Sequence, residues 1–133
     1  MLTVKQVAKK LKISEYTVRY YTNLGLVPNV KRNANNEREF DDDAIEWLYG
    51  CKMLRSTGMS IKNIKRYVDL CAQGTDSIES RFQMIINERD IAAQRVKDAN
   101  ENLDFLNQKV QIYEQAIKNK NDVDPLNPKQ NRS

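Results

Sequence analysis

Apolar residues recur at helical spacing through the first half of the chain, and short polar breaks separate the periodic runs. A first helix is predicted from Val4 to Lys10, because Thr3 and Gln6 have the spacing of an N-terminal capping box. After a short turn, Ser14 is predicted to cap a second helix that Gly25 ends. Two short helices joined by such a turn form a helix-turn-helix.

The segment that follows the second helix has no helical periodicity, and Pro28 blocks continuation of that helix. Val30 and Phe40 are predicted to bracket a small two-stranded ribbon with its turn at residues 33–36. The turn is rich in Asn, which tolerates a left-handed backbone. This ribbon would form a wing beside the helix-turn-helix.

Two further helices are predicted before residue 74. The third helix begins at acidic residues 41–43, which suit the positive end of a helix, and it ends at Gly58. The fourth helix is capped by Ser60 and ends at Gly74. Their apolar faces are Ala44, Leu48, Cys51 and Leu54 in the third helix and Ile61, Ile64, Val68 and Cys71 in the fourth. Residues 1–74 are therefore predicted to form one small domain.

A long final helix is predicted over residues 75–119. Its seam alternates spacings of four and three, the heptad pattern of a coiled coil, at Ile78, Phe82, Ile85, Arg89, Ala92, Val96, Ala99, Leu103, Leu106, Val110, Tyr113 and Ile117. The alternative is a long amphipathic helix that packs its apolar seam on its own domain. That domain would be only about 25 Å across, so it could not cover a helix that is roughly 60 Å long. We therefore predict a homodimer with contacts at Phe82, Ile85, Val96, Leu103, Leu106, Val110, Tyr113 and Ile117. The polar residues 120–133 are predicted to be disordered.

Composition narrows the function classes. The chain has no His, which removes the commonest general base and the commonest zinc ligand, and it has no Gly-rich phosphate loop or nucleophile motif. An enzyme is disfavoured, and no metal or cofactor is expected.

Two cysteines are too few for a disulfide framework, and no apolar run approaches the ~20 residues of a membrane span. With no signal peptide either, a cytoplasmic protein is expected and no membrane partner.

Charge is distributed unevenly along the chain. Residues 1–75 hold 13 Lys and Arg against 8 Asp and Glu, a balance of +5, whereas residues 76–133 hold 9 against 10, a balance of −1. A basic first half beside a nearly neutral second half indicates that the first half meets a polyanion.

Side chains suited to DNA lie on the second helix and the wing. Hydroxyl and guanidinium groups on the exposed side of a second helix can donate to phosphates and base edges. The predicted DNA contacts are Tyr16, Thr17, Arg19, Tyr20, Lys31, Arg32, Arg38, Phe40 and Lys62. The alternatives are that the tyrosines pack at the surface and that Lys31 and Arg32 belong to a solvated loop.

Several runs keep a recognisable order and spacing over residues 2–71. They are Gln6-Val7-Ala8, Ile13-Ser14, Thr17-Val18-Arg19-Tyr20-Tyr21, Gly25-Leu26-Val27-Pro28, Arg38-Glu39-Phe40 and the run from Leu54 to Ile61. In these runs the chain resembles the MerR family of bacterial regulators. It departs from the family pattern at Lys12, where Gly is usual, at Thr22, where Glu is common, and at Asn36-Glu37, where the wing motif usually begins with Gly and an aromatic or hydrophobic residue.

The resemblance implies a fold and a mechanism. The fold would be all-α with a small β-ribbon wing, a winged helix-turn-helix followed by a long dimerisation helix in an antiparallel coiled coil. Family dimers bind double-stranded promoter DNA whose spacer is too long, and they bend and untwist it so that the RNA polymerase elements realign. RNA polymerase would then be an indirect partner.

The resemblance also bears on the signal. The small, stress-responsive branch of the family has no separate effector domain, and we expect none here because only residues 120–133 follow the coil. Some members of that branch sense electrophiles through a cysteine in the DNA-binding domain, which makes Cys51 and Cys71 candidate sensors. Both lie on apolar faces, however, and a buried Cys is commonly a small hydrophobe. A second candidate function is a structural DNA-organising protein that uses the same head and bridges DNA through the coil.

Overall fold

The computed structural model describes residues 1–120, and the chain divides into two compact units, Met1–Glu88 and a second that begins at Arg89. The elements are β1 (Leu2–Thr3), α1 (Val4–Leu11), α2 (Glu15–Asn23), β2 (Lys31–Arg32), β3 (Arg38–Phe40), α3 (Asp42–Ser56), α4 (Ile61–Ala72), a 3₁₀ turn (Gly74–Ser77) and α5 (Ile78–Asn119). The predicted fold class is confirmed: the described chain is mostly helical, with a small antiparallel sheet and a long C-terminal helix.

Side-chain caps fix the helix-turn-helix where the sequence predicts it. The Thr3 amide donates to Gln6 Oε1 at 2.9 Å and the Gln6 amide donates to Thr3 Oγ1 at 3.3 Å, so the capping box is complete. The Thr17 amide donates to Ser14 Oγ at 3.0 Å and so caps α2. Between the two helices Lys12 takes a left-handed backbone with φ of 57°. That conformation explains why Gly is usual at this position, since it has no Cβ to strain.

The wing is part of a three-stranded antiparallel sheet in the order β1-β3-β2. The sequence predicted the β2–β3 ribbon but missed β1, in which Leu2 pairs with Phe40. A strand of two residues is too short to show the alternation from which strands are predicted. Asn36 has the left-handed φ of 61° expected for an Asn in this turn.

One hydrophobic core lies within the first unit. Its buried members are Val7, Ala8, Leu11, Val18, Tyr21, Leu26, Val27, Phe40, Ala44, Ile45, Leu48, Cys51, Met59, Ile64 and Val68. They come from the first four helices, from β3 and from the loops that follow α2 and α3, so the sheet and helices pack as one body. This packing positions α2 and the wing relative to each other.

The first unit extends further than the predicted boundary between residues 74 and 75. Ser77 is buried, and its hydroxyl donates to the carbonyl of Leu70 and, at 2.8 Å, to that of Gly74. Met84, two turns into α5, packs against the core. The beginning of the long helix therefore belongs to the head, and the unit ends at Glu88.

The second unit is the remainder of α5. No residue of α5 is buried, and the large seam residues of this unit leave apolar surface exposed, from 39% of Tyr113 to 76% of Ile117. Arg89, which interrupts the seam, pairs with Asp90 of the same chain at 3.1 Å. The predicted disordered tail lies outside the described residues apart from Lys120. Among the helices of residues 1–120, none is long and apolar enough to cross a membrane.

Candidate nucleic-acid interface

The exposed face of α2 carries two aromatic side chains. Tyr16 is 74% exposed and Tyr20 is 40% exposed. Their rings stack with centroids 6.0 Å apart and planes inclined by 13°. Tyr21 is buried in the core instead. The two stacked rings thus form an exposed aromatic surface on α2.

Thr17 lies in a different environment. Its side chain is half-buried, and its hydroxyl shares a hydrogen bond of 2.8 Å with the Ser14 hydroxyl. Because Ser14 also caps α2, the Thr17 hydroxyl belongs to the cap network at the start of the helix.

Arg19 lies one turn after Glu15, and their side chains form an ion pair of 3.4 Å. Both side chains are about half exposed, 54% for Arg19 and 45% for Glu15. Such a solvent-exposed pair contributes little to stability, because water screens the attraction. The guanidinium can therefore leave Glu15 for a phosphate at small cost.

A cleft of about 430 Å³ separates α2 from the wing. We call it the basic cleft; its lining residues are Thr3, Val4, Lys5, Glu15, Arg19, Asn23, Arg32, Glu37 and Arg38. Four of these side chains are cationic and two are carboxylates. Thr3 and the start of α1 add the positive end of a helix to the same wall. The cleft is suited to an anionic backbone.

Hydrogen bonds order the cations of the wing. Arg38 donates to the side-chain oxygen of Asn23 at the end of α2. Arg32 donates through Nη1 to the backbone oxygen of Asn36 at 2.8 Å. Lys31 is exposed and stands opposite Glu39 in the β2–β3 pairing.

The structure corrects one predicted contact. Phe40 has no exposed surface, because it points from β3 into the hydrophobic core. The prediction that its side chain contacts DNA is wrong; it anchors the strand that presents Arg38. Lys62 is exposed in the first turn of α4 but does not line the basic cleft.

Six members of the cleft were not among the predicted DNA contacts: Thr3, Val4, Lys5, Glu15, Asn23 and Glu37. The spacing i, i+4, i+8 of Glu15, Arg19 and Asn23 is a signal that would have placed them on one face of α2. Lys5 approaches the same face only because α1 packs beside α2, which spacing along the chain does not reveal.

The two cysteines line a second, mostly apolar groove of about 350 Å³ between α3 and α4. We call it the cysteine groove; its lining residues are Asp43, Glu46, Trp47, Gly50, Cys51, Leu54, Tyr67, Val68 and Cys71. Burial raises the pKa of the Cys51 thiol to about 11, so that thiol is held protonated at neutral pH. Cys71 is only half-buried. Burial raises the pKa of the Tyr67 hydroxyl, and the neighbouring Cys71 adds to that rise.

Comparison with known proteins agrees with this geometry. The model of the MerR HTH family of regulatory proteins matches residues 2–71. An HTH-type transcriptional regulator of Haemophilus influenzae is 36% identical over 114 residues, which are 86% of this chain and 84% of that protein. The HTH-type transcriptional regulator AdhR of Bacillus subtilis is 34% identical over 88 residues, which are 66% of this chain and 63% of that protein.

A solved structure is also similar. It is the crystal structure of HiNmlR, a MerR family regulator lacking the sensor domain, bound to promoter DNA. It matches with a TM-score of 0.81 at 34% identity and covers 90% of this chain and 91% of that chain. The family comprises transcriptional regulators and not enzymes. The resemblance seen in the sequence is confirmed: this chain belongs to the MerR family of DNA-binding HTH-type transcription regulators.

Proposed function

We propose that the chain binds double-stranded promoter DNA as a homodimer, distorts that DNA and so acts indirectly on RNA polymerase. The observation that carries the proposal is the basic cleft between α2 and the wing, which brings Arg19 together with Arg32 and Arg38. HiNmlR, whose fold is similar, is bound to promoter DNA in its crystal structure.

In the proposed complex α2 enters the major groove and the wing follows the flanking backbone. Tyr16 and Tyr20 project from the open face of α2, where their hydroxyls reach phosphates or base edges. Arg19 and Arg38 approach phosphates from the basic cleft. Lys31 and Arg32 extend the contact along the ribbon, and Lys62 meets a more distant phosphate from the start of α4.

The seam of α5 supports the proposed homodimer. An isolated helix that exposes Val96, Leu103, Leu106 and Val110 on one stripe leaves a large apolar surface in water. A second copy of the helix buries that stripe by heptad packing. An antiparallel pair places the two heads at opposite ends, where each reads one half-site of a promoter.

Distortion of the promoter follows from this arrangement. Two heads fixed at a set separation bind an overlong spacer only if the DNA bends or untwists between them. A signal that alters the angle of either head then changes the distortion. The cysteine groove is the proposed place for that signal, with Cys71 the more accessible thiol and Cys51 the buried one.

The test is a footprint of the full chain on DNA fragments selected from genomic DNA. We expect protection of two half-sites with enhanced cleavage between them, where the duplex is distorted. Arg38→Ala should abolish the footprint at a protein concentration where Lys97→Ala, a matched loss of one cation in α5, retains it. Uniform protection without boundaries would overturn the proposal in favour of a DNA-organising protein.

A further inference from the structure

An acidic side chain stands at the start of the helix that would enter the major groove. We propose that Glu15 selects the operator sequence by accepting a hydrogen bond from the amino group of a cytosine. This inference rests on the proposed docking of α2 in the major groove. Glu15 would be a specificity-determining residue that reads a base, whereas the cations around it grip phosphates.

The position of Glu15 suits base contact. It is the first residue of α2, and Tyr16 beside it is the most exposed aromatic residue of that helix. In helix-turn-helix proteins the N-terminal residues of the second helix contact base edges in the major groove. The Glu15 side chain is 45% exposed, so its carboxylate remains accessible to a ligand.

Charge then restricts what Glu15 can contact. It lines the basic cleft together with Lys5, Arg19, Arg32 and Arg38. A carboxylate in a cleft that attracts phosphates weakens that attraction, so this residue costs affinity for every DNA sequence. The hydrogen-bond donors that duplex DNA presents in the major groove are base amino groups, and a Glu accepts characteristically from N4 of cytosine.

The alternative role is to hold Arg19 and to stabilise the start of α2. The ion pair with Arg19 is long, at 3.4 Å, and half exposed. An exposed pair of this kind is weak, and it breaks when the guanidinium moves to a phosphate. Ser14 already caps α2 through the Thr17 amide. Glu15 is thus left with an unpaired carboxylate on DNA unless a base supplies the donor.

Specificity then arises largely by exclusion. On a sequence without the matching cytosine, the carboxylate is removed from water with no donor, and binding is penalised. We expect the matching base to be preferred by roughly 10- to 100-fold over the others at this position. Non-operator DNA should bind Glu15→Ala more tightly than the wild-type chain.

Selection from a random duplex pool by the full chain tests the assignment. The wild-type motif should contain one cytosine in each half-site that Glu15→Ala no longer selects. Glu15→Gln should change that position to adenine, because Gln pairs with adenine through N6 and N7. Glu79→Gln, a matched loss of an acid in the first turn of α5, should select the wild-type motif.

The outcomes separate the two proposals. If the wild-type chain selects a motif and both Glu15 variants select the same one, the base-reading role is overturned while sequence-specific binding stands. If the wild-type chain selects no motif, sequence-specific binding itself is overturned, and the role of Glu15 with it. Circular dichroism and thermal unfolding of each variant check that its helix content and stability match those of the wild-type chain.

Discussion

Asn23, the last residue of α2, accepts a hydrogen bond from the guanidinium of Arg38 in β3. This bond links the helix that carries Tyr16 and Tyr20 to the wing, across 15 residues of chain. The acceptor is a neutral amide, so it orients the guanidinium without cancelling its charge. Arg38 therefore stays available to a phosphate while its position is set by α2.

Asn23→Asp tests this arrangement. A carboxylate at this position should hold Arg38 more tightly and neutralise it. We expect unchanged or slightly higher thermal stability, weaker DNA binding, and a slope of log affinity against log salt that is smaller by about 1. Asn100→Asp in α5 adds the same charge away from the cleft and serves as the control. A salt slope equal to that of the control would show that Arg38 does not contact a phosphate.

Arg19→Ala, Tyr20→Ala and Arg38→Ala should each weaken operator binding by roughly 1–3 kcal/mol. Each removes a donor from the surface formed by α2 and the wing. Titration by fluorescence anisotropy at several salt concentrations measures the loss, and Lys97→Ala is the control for a general loss of positive charge. Wild-type affinity in all three variants would mean that DNA binds elsewhere on the chain.

Leu103→Glu should convert the dimer to a monomer, because it places a charge in the centre of the α5 seam. Sedimentation of the wild-type protein should give twice the chain mass of 15.5 kDa, whereas Leu103→Glu should give the mass of a single chain. Gln108→Glu adds the same charge on the opposite side of the helix and should remain dimeric. A monomeric wild-type chain at micromolar concentration would contradict the prediction.

The two cysteines should differ in reactivity. Cys51 is buried with its pKa raised to about 11, so very little of it is thiolate at neutral pH, and Cys71 is half-buried. Alkylation by iodoacetamide followed by peptide mass spectrometry should therefore label Cys71 first. Promoter activation by an aldehyde in Cys51→Ser, Cys71→Ser and the double variant decides whether either thiol carries a signal. A wild-type response in all three would exclude cysteine chemistry as the signal.

Stability should fall at high pH because of Cys51. Its pKa rises from 9.0 in the unfolded chain to about 11 in the folded one. The stabilisation from keeping the thiol protonated is fully present below the unfolded pKa of 9.0, and it is lost as pH rises towards the folded pKa of about 11. That shift corresponds to about 2–3 kcal/mol. Burial also raises the pKa of Tyr21. Comparing the denaturant unfolding of the wild-type chain with that of Cys51→Ala separates the contribution of Cys51 to the loss of stability from that of Tyr21. Equal losses in both chains would contradict the prediction.

The helices were predictable from sequence because local signals fix them. Thr3, Ser14, Asp41 and Ser60 each cap a helix through a bond to a nearby amide, a contact that depends only on spacing. The wing turn was predictable for the same reason. Phe40 was not, because the face on which a short strand buries its side chains is decided by the sheet and helices that cover it.

The arrangement of the candidate sites was less predictable. Cys51 and Cys71 each lie on an apolar face in the sequence, but that they share one groove follows from the packing of α3 on α4. The bond from Lys52 Nζ to the backbone oxygen of Leu11, at 2.8 Å, likewise joins residues 41 positions apart. No periodicity along the chain encodes such pairs.

In the wing, Arg32 and Arg38 stand directly opposite each other in the β2–β3 pairing. Like charges in that position destabilise a ribbon, and both guanidiniums donate to neutral acceptors. Added salt screens this repulsion and so favours the ordered ribbon, although the same salt weakens attraction to DNA. The two effects oppose each other, so a plot of log affinity against log salt should curve at low ionic strength, where part of the binding free energy is used to order the ribbon.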